Sequence, residues 1–214
     1  MDLNLRNGNR SKPEYSLGIG VVGVEGSAEG PLNKAHTYSW FGNFRYANFG
    51  FLTRYGIITI EDVGIVPSSM DWAFKTSLKT KKSGTFDFFS VGGSSKAGDV
   101  ASTDPAEIKS GADRDEYLEY HFMAVAGIKH LLIFPDSKSY LKTTAAFTFQ
   151  KDESTNDQVD TLLRKTITYY ELYGYPSLRA SVLFNHKFNV YHTIRMGINY
   201  NRLWGDMFAM QSNN

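Results

Sequence analysis

The sequence has no cysteine, no long apolar run and almost no net charge. Without cysteine among its 214 residues, it can form neither a disulfide framework nor a thiolate metal site. No apolar run reaches the roughly 18 residues that mark a transmembrane helix, and the formal net charge of +1 gives no sign of a nucleic-acid partner. These absences exclude helical membrane proteins, disulfide-rich domains and nucleic-acid-binding domains.

Cofactor, metal and catalytic signals are weak as well. The string Gly18-Ile19-Gly20-Val21-Val22-Gly23 fits a dinucleotide fingerprint, but it lies in an alternating segment with no helix after it. The five histidines have no i, i+2 or i, i+4 spacing: His36, His121, His130, His186 and His192. No activated nucleophile is recognisable. We therefore predict no cofactor, no metal and no catalytic residue, and we expect that the chain is not an enzyme.

What the sequence has is regular alternation of apolar and polar residues, with an aromatic content of 14%. Two-residue alternation predicts β-strands with two different faces. Nine such segments are recognisable, and Phe86 to Val91 fits only if a bulge lies near Phe88. The nine segments are residues 2–6, 15–21, 38–46, 72–78, 85–91, 117–128, 140–150, 178–184 and 194–200.

The connections between these segments alternate in length. Short turns are expected near residues 30–34, 80–84 and 135–138, and long loops near 47–69, 92–115 and 151–165. Short turns on one rim and long loops on the other are typical of outer-membrane barrels. We therefore predict an all-β, antiparallel up-and-down transmembrane β-barrel segment of about nine strands, an incomplete barrel. Six side chains are predicted to face its lumen: Arg45, Lys75, Glu119, His121, Arg179 and Arg195.

Two alternatives remain open from the residues alone. The first is a complete small outer-membrane barrel, either without catalytic activity or with a hydrolase site that uses Asp113, Asp115 or Glu116 near His121. The second is a soluble β-sandwich binding module, in which the apolar faces of two sheets would pack on each other.

Several short motifs resemble TonB-dependent outer-membrane receptors, of the type with N-terminal carboxypeptidase-regulatory-like and plug domains. Residues 2–9 resemble the junction between plug and barrel, and Ala28-Glu29-Gly30-Pro31-Leu32 resembles the first inner turn. Further motifs follow in the family's order: Phe44-Arg45-Tyr46, Asp71-Trp72-Ala73-Phe74-Lys75, Lys82-Ser83-Gly84-Thr85-Phe86, Tyr140-Leu141-Lys142-Thr143 and Asn185-His186-Lys187-Phe188-Asn189.

The resemblance implies that residues 1–214 are the N-terminal part of a plugged barrel of about 22 strands, with no signal peptide or plug in the sequence given. It also implies a location in the outer membrane of a Gram-negative bacterium, in contact with lipid. The expected function is import of a scarce nutrient of the siderophore, cobalamin or glycan class. The expected energy source is the TonB complex, which would act through the plug.

Overall fold

The computed structural model describes residues 5–50, 52, 65–102, 108 and 112–211. These residues form one antiparallel sheet of eleven strands, which confirms the all-β, up-and-down prediction. No helix among them is both long and apolar enough to cross a membrane. The strands are β1 (Glu14–Gly20), β2 (Gly23–Pro31), β3 (Tyr38–Asn48), β4 (Ile65–Lys79), β5 (Thr85–Asp99), β6 (Asp115–Ile133), β7 (Ser139–Val159), β8 (Lys165–Gly174), β9 (Ser177–Lys187), β10 (Thr193–Leu203) and β11 (Asp206–Gln211).

Four of these strands are halves of two longer ones. β8 and β9 pair with successive parts of β7 in one register across residues 175–176, and the register shifts only further along, between Asn156 and Asp157. In the same way, β10 and β11 pair with β9 and β8 in one register across residues 204–205. The sheet therefore consists of nine continuous strands in chain order.

The number of strands agrees with the prediction, but the nine observed strands are not the same nine segments. Strand β2 (Gly23–Pro31) was not predicted, because six of its nine residues are glycine, alanine, serine or proline and give little alternation. The predicted strand at residues 2–6 is wrong for its described part, since Leu5 and Arg6 lie outside any strand.

The short turns are confirmed on one edge, here called the short-turn rim. It carries residues 32–37, 80–84, 134–138 and 188–192. The opposite edge, the long-loop rim, carries the connections from Asn48 to Ile65 and from Asp99 to Asp115. The predicted long loop at 151–165 is wrong, because β7 continues to Val159 and the turn comprises only residues 160–164.

The predicted bulge near Phe88 is also wrong. The register between β4 and β5 is continuous from Ser68 to Lys79, and its irregularity lies between Ile65 and Ser68. Phe89 therefore lies on the opposite face from Phe88. Gly127 on β6 makes room for it, since a Cβ there would lie 2.7 Å from the Phe89 ring.

Burial in this sheet is the reverse of that in a soluble domain. The buried apolar residues are Leu52, Ala101 and Val159. Ile128 and Phe147, in the middle of the sheet, keep 60% and 47% of their surface exposed. More residues are buried among the polar and charged types: Glu29, Ser39, Lys75, Ser77, Asp87, Ser139, Asp157 and Ser177. A β-sandwich requires two facing sheets around an apolar core, and the described residues form a single sheet whose buried side chains are mostly polar.

Candidate functional site: the charged face of the sheet

The register assigns every side chain to one of two faces, because opposite residues share a face and successive residues alternate. One face carries a mostly apolar surface, here called the apolar band, next to the short-turn rim; Thr76, Ser90 and Thr143 are polar members of it. Its large members include Trp40, Phe44, Trp72, Phe74, Phe86, Phe88, Ile128, Phe147, Val182, Phe184 and Ile198. Within the described strands, the charged side chains of this face lie at or beyond the upper limit of the band, on the side of the long-loop rim, except Arg202. Arg202 lies opposite Leu178 and therefore level with Phe147, on the edge strand β10.

The height of the band can be read from β7. On the apolar face this strand shows Leu141, Ala145, Phe147 and Phe149, and then Lys151 and Glu153. Ten residues at ~3.3 Å each, tilted by about 45°, span about 23 Å. That height is close to the apolar band of about 25 Å on outer-membrane barrels. Beyond Phe149, residues 150–158 are polar on both faces.

The other face, here called the charged face, contains all six residues that the sequence predicted for the lumen. The register places Arg45, Lys75, Glu119, His121, Arg179 and Arg195 there together. Their charged neighbours were not predicted as a set, because pairing between strands is not visible in a sequence. These neighbours are Glu25, Glu29, Asp71, Asp87, Lys129, Lys142 and Asp152. Whether this face encloses a lumen stays a prediction.

A buried ion cluster lies on the charged face at the level of the apolar band. The Lys75 ammonium lies 3.3 Å from Asp87 Oδ2, and Lys129 Nζ lies 3.8 Å from the same oxygen. The Lys75 and Asp87 side chains are only 9% and 7% exposed. Phe41 and Phe89 lie directly opposite Lys75 on the two neighbouring strands. The two phenylalanines are therefore neighbours of the lysine on the same face of the sheet.

The N-terminal segment, residues 5–13, crosses this cluster and contributes to its burial. The Leu5 carbonyl accepts a hydrogen bond of 3.0 Å from Lys75 Nζ. Arg6 binds the Glu29 carboxylate through both of its terminal nitrogens, at 2.6 and 2.8 Å. Glu29 also accepts a 2.7 Å bond from the Asn9 backbone. Charge-assisted and bidentate bonds of this type are strong and directional, so they fix where the segment lies on the face.

Close backbone contact holds the middle of the segment in place. A Cβ on Gly8 would lie 1.9 Å from the Trp40 carbonyl oxygen, so only glycine fits against β3 at this point. Further along, the Arg10 guanidinium donates to Ser77 Oγ at 3.2 Å. The segment therefore runs across β2, β3 and β4 on the charged face.

Closer to the long-loop rim, charges alternate across three neighbouring strands. Glu25, Arg45 and Asp71 lie directly opposite one another. The Arg45 Nε atom donates to Asp71 Oδ2 at 2.8 Å, with both side chains at least 40% exposed. An ion pair this exposed adds little stability, so its main effect is to keep this part of the face hydrated.

His121 has a carboxylate partner that the sequence did not indicate. Its Nδ1 lies 2.8 Å from Asp152 Oδ1, and its Nε2 lies 3.6 Å from Glu119. The hydrogen bond that the Asp152 carboxylate accepts from His121 is the main reason why the pKa of His121 is raised above its ordinary value. No group of three or more metal-ligating side chains occurs in the described part of the chain.

The acids proposed for a hydrolase do not join His121. Asp115 accepts a bond from Gln158 at 2.9 Å, and Glu116 pairs with Lys165 at 2.7 Å. Glu116 also lies on the opposite face from His121. Asp115 and Glu116 are therefore paired with residues other than His121.

The glycine-rich string of residues 18–23 is part of a β-hairpin. It ends β1, passes through a turn at Val21 and Val22, and begins β2. The helix that a dinucleotide site requires is replaced by a strand.

Comparison with known protein families, curated proteins and solved structures finds no match for this chain.

Proposed function

We propose that this chain forms wall strands of a β-barrel in the outer membrane, as part of a TonB-dependent receptor that imports a scarce nutrient. One observation carries the proposal: an apolar band of membrane height lies directly behind a face that buries ion pairs, and Arg202, on the edge strand, is the only charged side chain of the described strands within that band. In a soluble protein, the apolar side chains would be inside and the ion pairs outside. In a barrel within lipid, the distribution seen here is the stable one.

The energetic reason concerns single charges. A lysine or arginine that faces lipid at the midplane costs about 2–4 kcal/mol, whereas one that faces a wet lumen costs little. Lys75, Lys129, Arg179 and Asp87 all lie at the level of the band and all share the charged face. If the sheet faced the other way, four charges would face hydrocarbon.

Two features favour a receptor over a complete small barrel. The sheet is open, because the described residues do not pair β1 with β10 or β11. A sheet with unpaired edges is not stable in hydrocarbon, so further strands are needed to close it. In addition, the N-terminal segment lies on the charged face, where a chain arriving from a plug inside the barrel would join the wall.

Orientation in the membrane can be tested with two adjacent alanines. Ala145 lies on the apolar face and Ala146 on the charged face, and the chain has no native cysteine. The variants Ala145→Cys and Ala146→Cys carry the same fluorophore in protein purified from outer membranes and placed in vesicles. Lipids brominated on their acyl chains should quench the label at 145 strongly and the label at 146 weakly. Equal quenching, or the reverse order, would overturn the proposal.

Import is tested in the producing bacterium. Deletion of the gene for this chain should reduce growth when one nutrient is limiting: a ferric siderophore, cobalamin or a glycan. Deletion of the gene for the TonB protein should reproduce that defect, and the double deletion should add nothing to it. Normal growth of the first deletion strain on all three nutrients would argue against a receptor.

A further inference from the structure

A groove opens on the apolar face next to the short-turn rim, beside the turn that joins β4 to β5. It has a volume of about 350 Å³. We call it the rim groove. The side chains of the apolar face that line it come from four neighbouring strands and include Leu78, Phe86, Phe88, Ile128, His130 and Ala145.

The turn beside the groove, residues 80–84, is closed by its own hydrogen bonds. Thr80 Oγ1 donates to the Gly84 carbonyl at 2.8 Å and accepts a 3.0 Å bond from the Ser83 backbone nitrogen. The Thr80 backbone nitrogen donates to the same carbonyl at 2.9 Å. Lys81 and Lys82 lie between these bonded residues, and both are exposed. The two lysines therefore extend from a defined backbone position at the rim end of the groove.

His130 connects the groove to the turn. Its Nε2 atom donates to the Ser83 carbonyl at 2.6 Å. Its ring stacks on Phe86, with centroids 4.3 Å apart and an angle of 14° between the rings. The apolar groove and the turn that bears the two lysines therefore form one continuous surface.

The rim around the groove is basic. Its four turns contain four exposed lysines and one acid: Lys34, Lys81, Lys82, Lys138 and Asp136. None of these lysines forms an ion pair with another described residue, and the Asp136 carboxylate accepts bonds from the Ser139 side chain and backbone instead. In contrast, the connection at residues 99–115 on the long-loop rim contains five acids and two bases. The apolar band is therefore bordered by positive charge on the side of the groove.

We propose that the rim groove binds an anionic phospholipid, with one acyl chain in the groove and the headgroup phosphate at Lys81 and Lys82. A lysine beside an apolar surface can lay its stem along that surface and keep its ammonium group in water. Basic groups at the edge of a membrane attract anionic lipids. An anionic phospholipid has both the negative charge and the apolar chain that this surface fits, whereas a free phosphate ester has only the first.

The inference rests on the proposed function, because it requires the apolar band to lie in lipid. The short turns of outer-membrane barrels face the periplasm. The bound lipid would therefore belong to the periplasmic leaflet of the membrane.

Binding is measured by native mass spectrometry on protein extracted from outer membranes in a neutral detergent, since each bound lipid adds a known mass. The probes are dioleoylphosphatidylglycerol, which is anionic, and dioleoylphosphatidylcholine, which has the same chains and no net charge. Glycerol 3-phosphate is the third probe, because it has the phosphate without a chain. A lysine near an anionic lipid contributes about fivefold in affinity. Phosphatidylglycerol should therefore bind at least about tenfold more tightly than phosphatidylcholine, and glycerol 3-phosphate should not displace it.

Three variants separate the charge from the groove. Lys81→Ser/Lys82→Ser should lose most of the preference for phosphatidylglycerol, a decrease of about tenfold or ~1.4 kcal/mol. Lys81→Arg/Lys82→Arg, which keeps both charges, should retain the preference. Ala145→Phe, which fills part of the groove without changing the charge, should weaken the binding of phosphatidylglycerol.

Lys12→Ser/Lys96→Ser is the matched control, because it removes two exposed lysines outside the groove, one on the charged face and one near the long-loop rim. It should leave the preference unchanged. The inference is overturned if the two phospholipids bind equally, if glycerol 3-phosphate displaces the lipid, if Ala145→Phe has no effect, or if the two serine double variants behave alike. None of these results changes the order of quenching expected for labels at residues 145 and 146. Failure of the lipid site is therefore distinguishable from failure of the proposed membrane location.

Discussion

Ala180 and Ser181 allow the membrane proposal to be tested with a single charge on either face. They are adjacent on β9, both are partly exposed, and both lie near mid-height of the apolar band. Ala180 lies opposite Ala145 and Tyr200 on the apolar face, whereas Ser181 lies opposite Thr144 and Asn199 on the charged face. Neither position has a charged residue directly opposite. An arginine introduced at one or the other therefore differs mainly in which face it occupies.

We expect Ala180→Arg to lower the free energy of unfolding by about 2–4 kcal/mol, the cost of an arginine at the midplane on the lipid face. Ser181→Arg should lower it by less than ~1 kcal/mol, since the charge remains in water. The two losses should therefore differ by at least about 1 kcal/mol. Because ~1.4 kcal/mol corresponds to a factor of ten, the folding equilibrium constants of the two variants should differ by at least about fivefold.

The assay is guanidinium unfolding of the protein folded into phospholipid vesicles, followed by tryptophan fluorescence. Trp40 and Trp72 lie on the apolar face, so their emission should shift to longer wavelength as they leave the lipid. Equal losses for the two variants, or a larger loss for Ser181→Arg, would refute the assignment of the apolar band to lipid.

Three further changes test local features of the sheet. Gly84 has a φ of 79°, and a Cβ there would lie 2.1 Å from a β6 carbonyl oxygen. Gly84→Ala should therefore lower the free energy of unfolding by at least ~1 kcal/mol in the same assay. An unchanged guanidinium midpoint would contradict this. Lys75→Met should lower the free energy of unfolding by about 3–5 kcal/mol, because it leaves Asp87 buried without its closest cation. The double variant with Asp87→Asn should recover part of that loss, and additive losses would contradict the pairing. His121 should titrate above its ordinary pKa of about 6.5, so any stability from its ion pairs is present at low pH and lost as pH rises through the raised value. NMR should show a lower His121 pKa in Asp152→Asn, and an unchanged one would exclude the Asp152 bond as the cause.

The faces of the strands could be predicted from sequence, because alternation is a local property. Arg45, Lys75 and Arg179 fall on one face since each is flanked by apolar residues one position away. The same local property failed at β2, whose Glu25 and Glu29 alternate with glycine and alanine, residues that are too small to mark an apolar face. A strand of small residues is recognised only when its partners are known.

The lengths of the strands were harder to predict from the sequence than their faces. Residues 151–159 are almost entirely polar on both faces, and in a half-buried sheet such a run indicates a loop. The structure extends β7 through this run because β6 and β8 supply backbone partners on both sides. The bond between His121 and Asp152 was missed for the same reason, since Asp152 lies in the run that was predicted to be a loop.

The ion partners depend on pairing between distant parts of the chain. Lys75 meets Asp87 across a hairpin, but His121 meets Asp152 over thirty-one positions of sequence. Leu5 reaches Lys75 over seventy. Such contacts cannot be inferred from the spacing of residues in a sequence. The residues of the charged face could therefore be predicted, but the ion pairs between them could not.

The interruption of the sheet at Pro176 limits how much of it could lie in the hydrocarbon of the proposed membrane. The Trp204 backbone nitrogen donates to the Pro176 carbonyl at 2.9 Å, but proline has no hydrogen with which to return that bond. The Trp204 carbonyl must then be satisfied by solvent, which the hydrocarbon interior does not provide. This pair of residues lies level with Phe149, at the upper limit of the apolar band. In the proposed membrane location, the hydrocarbon can therefore extend no further than this level, because a peptide oxygen beyond it would lose its hydration.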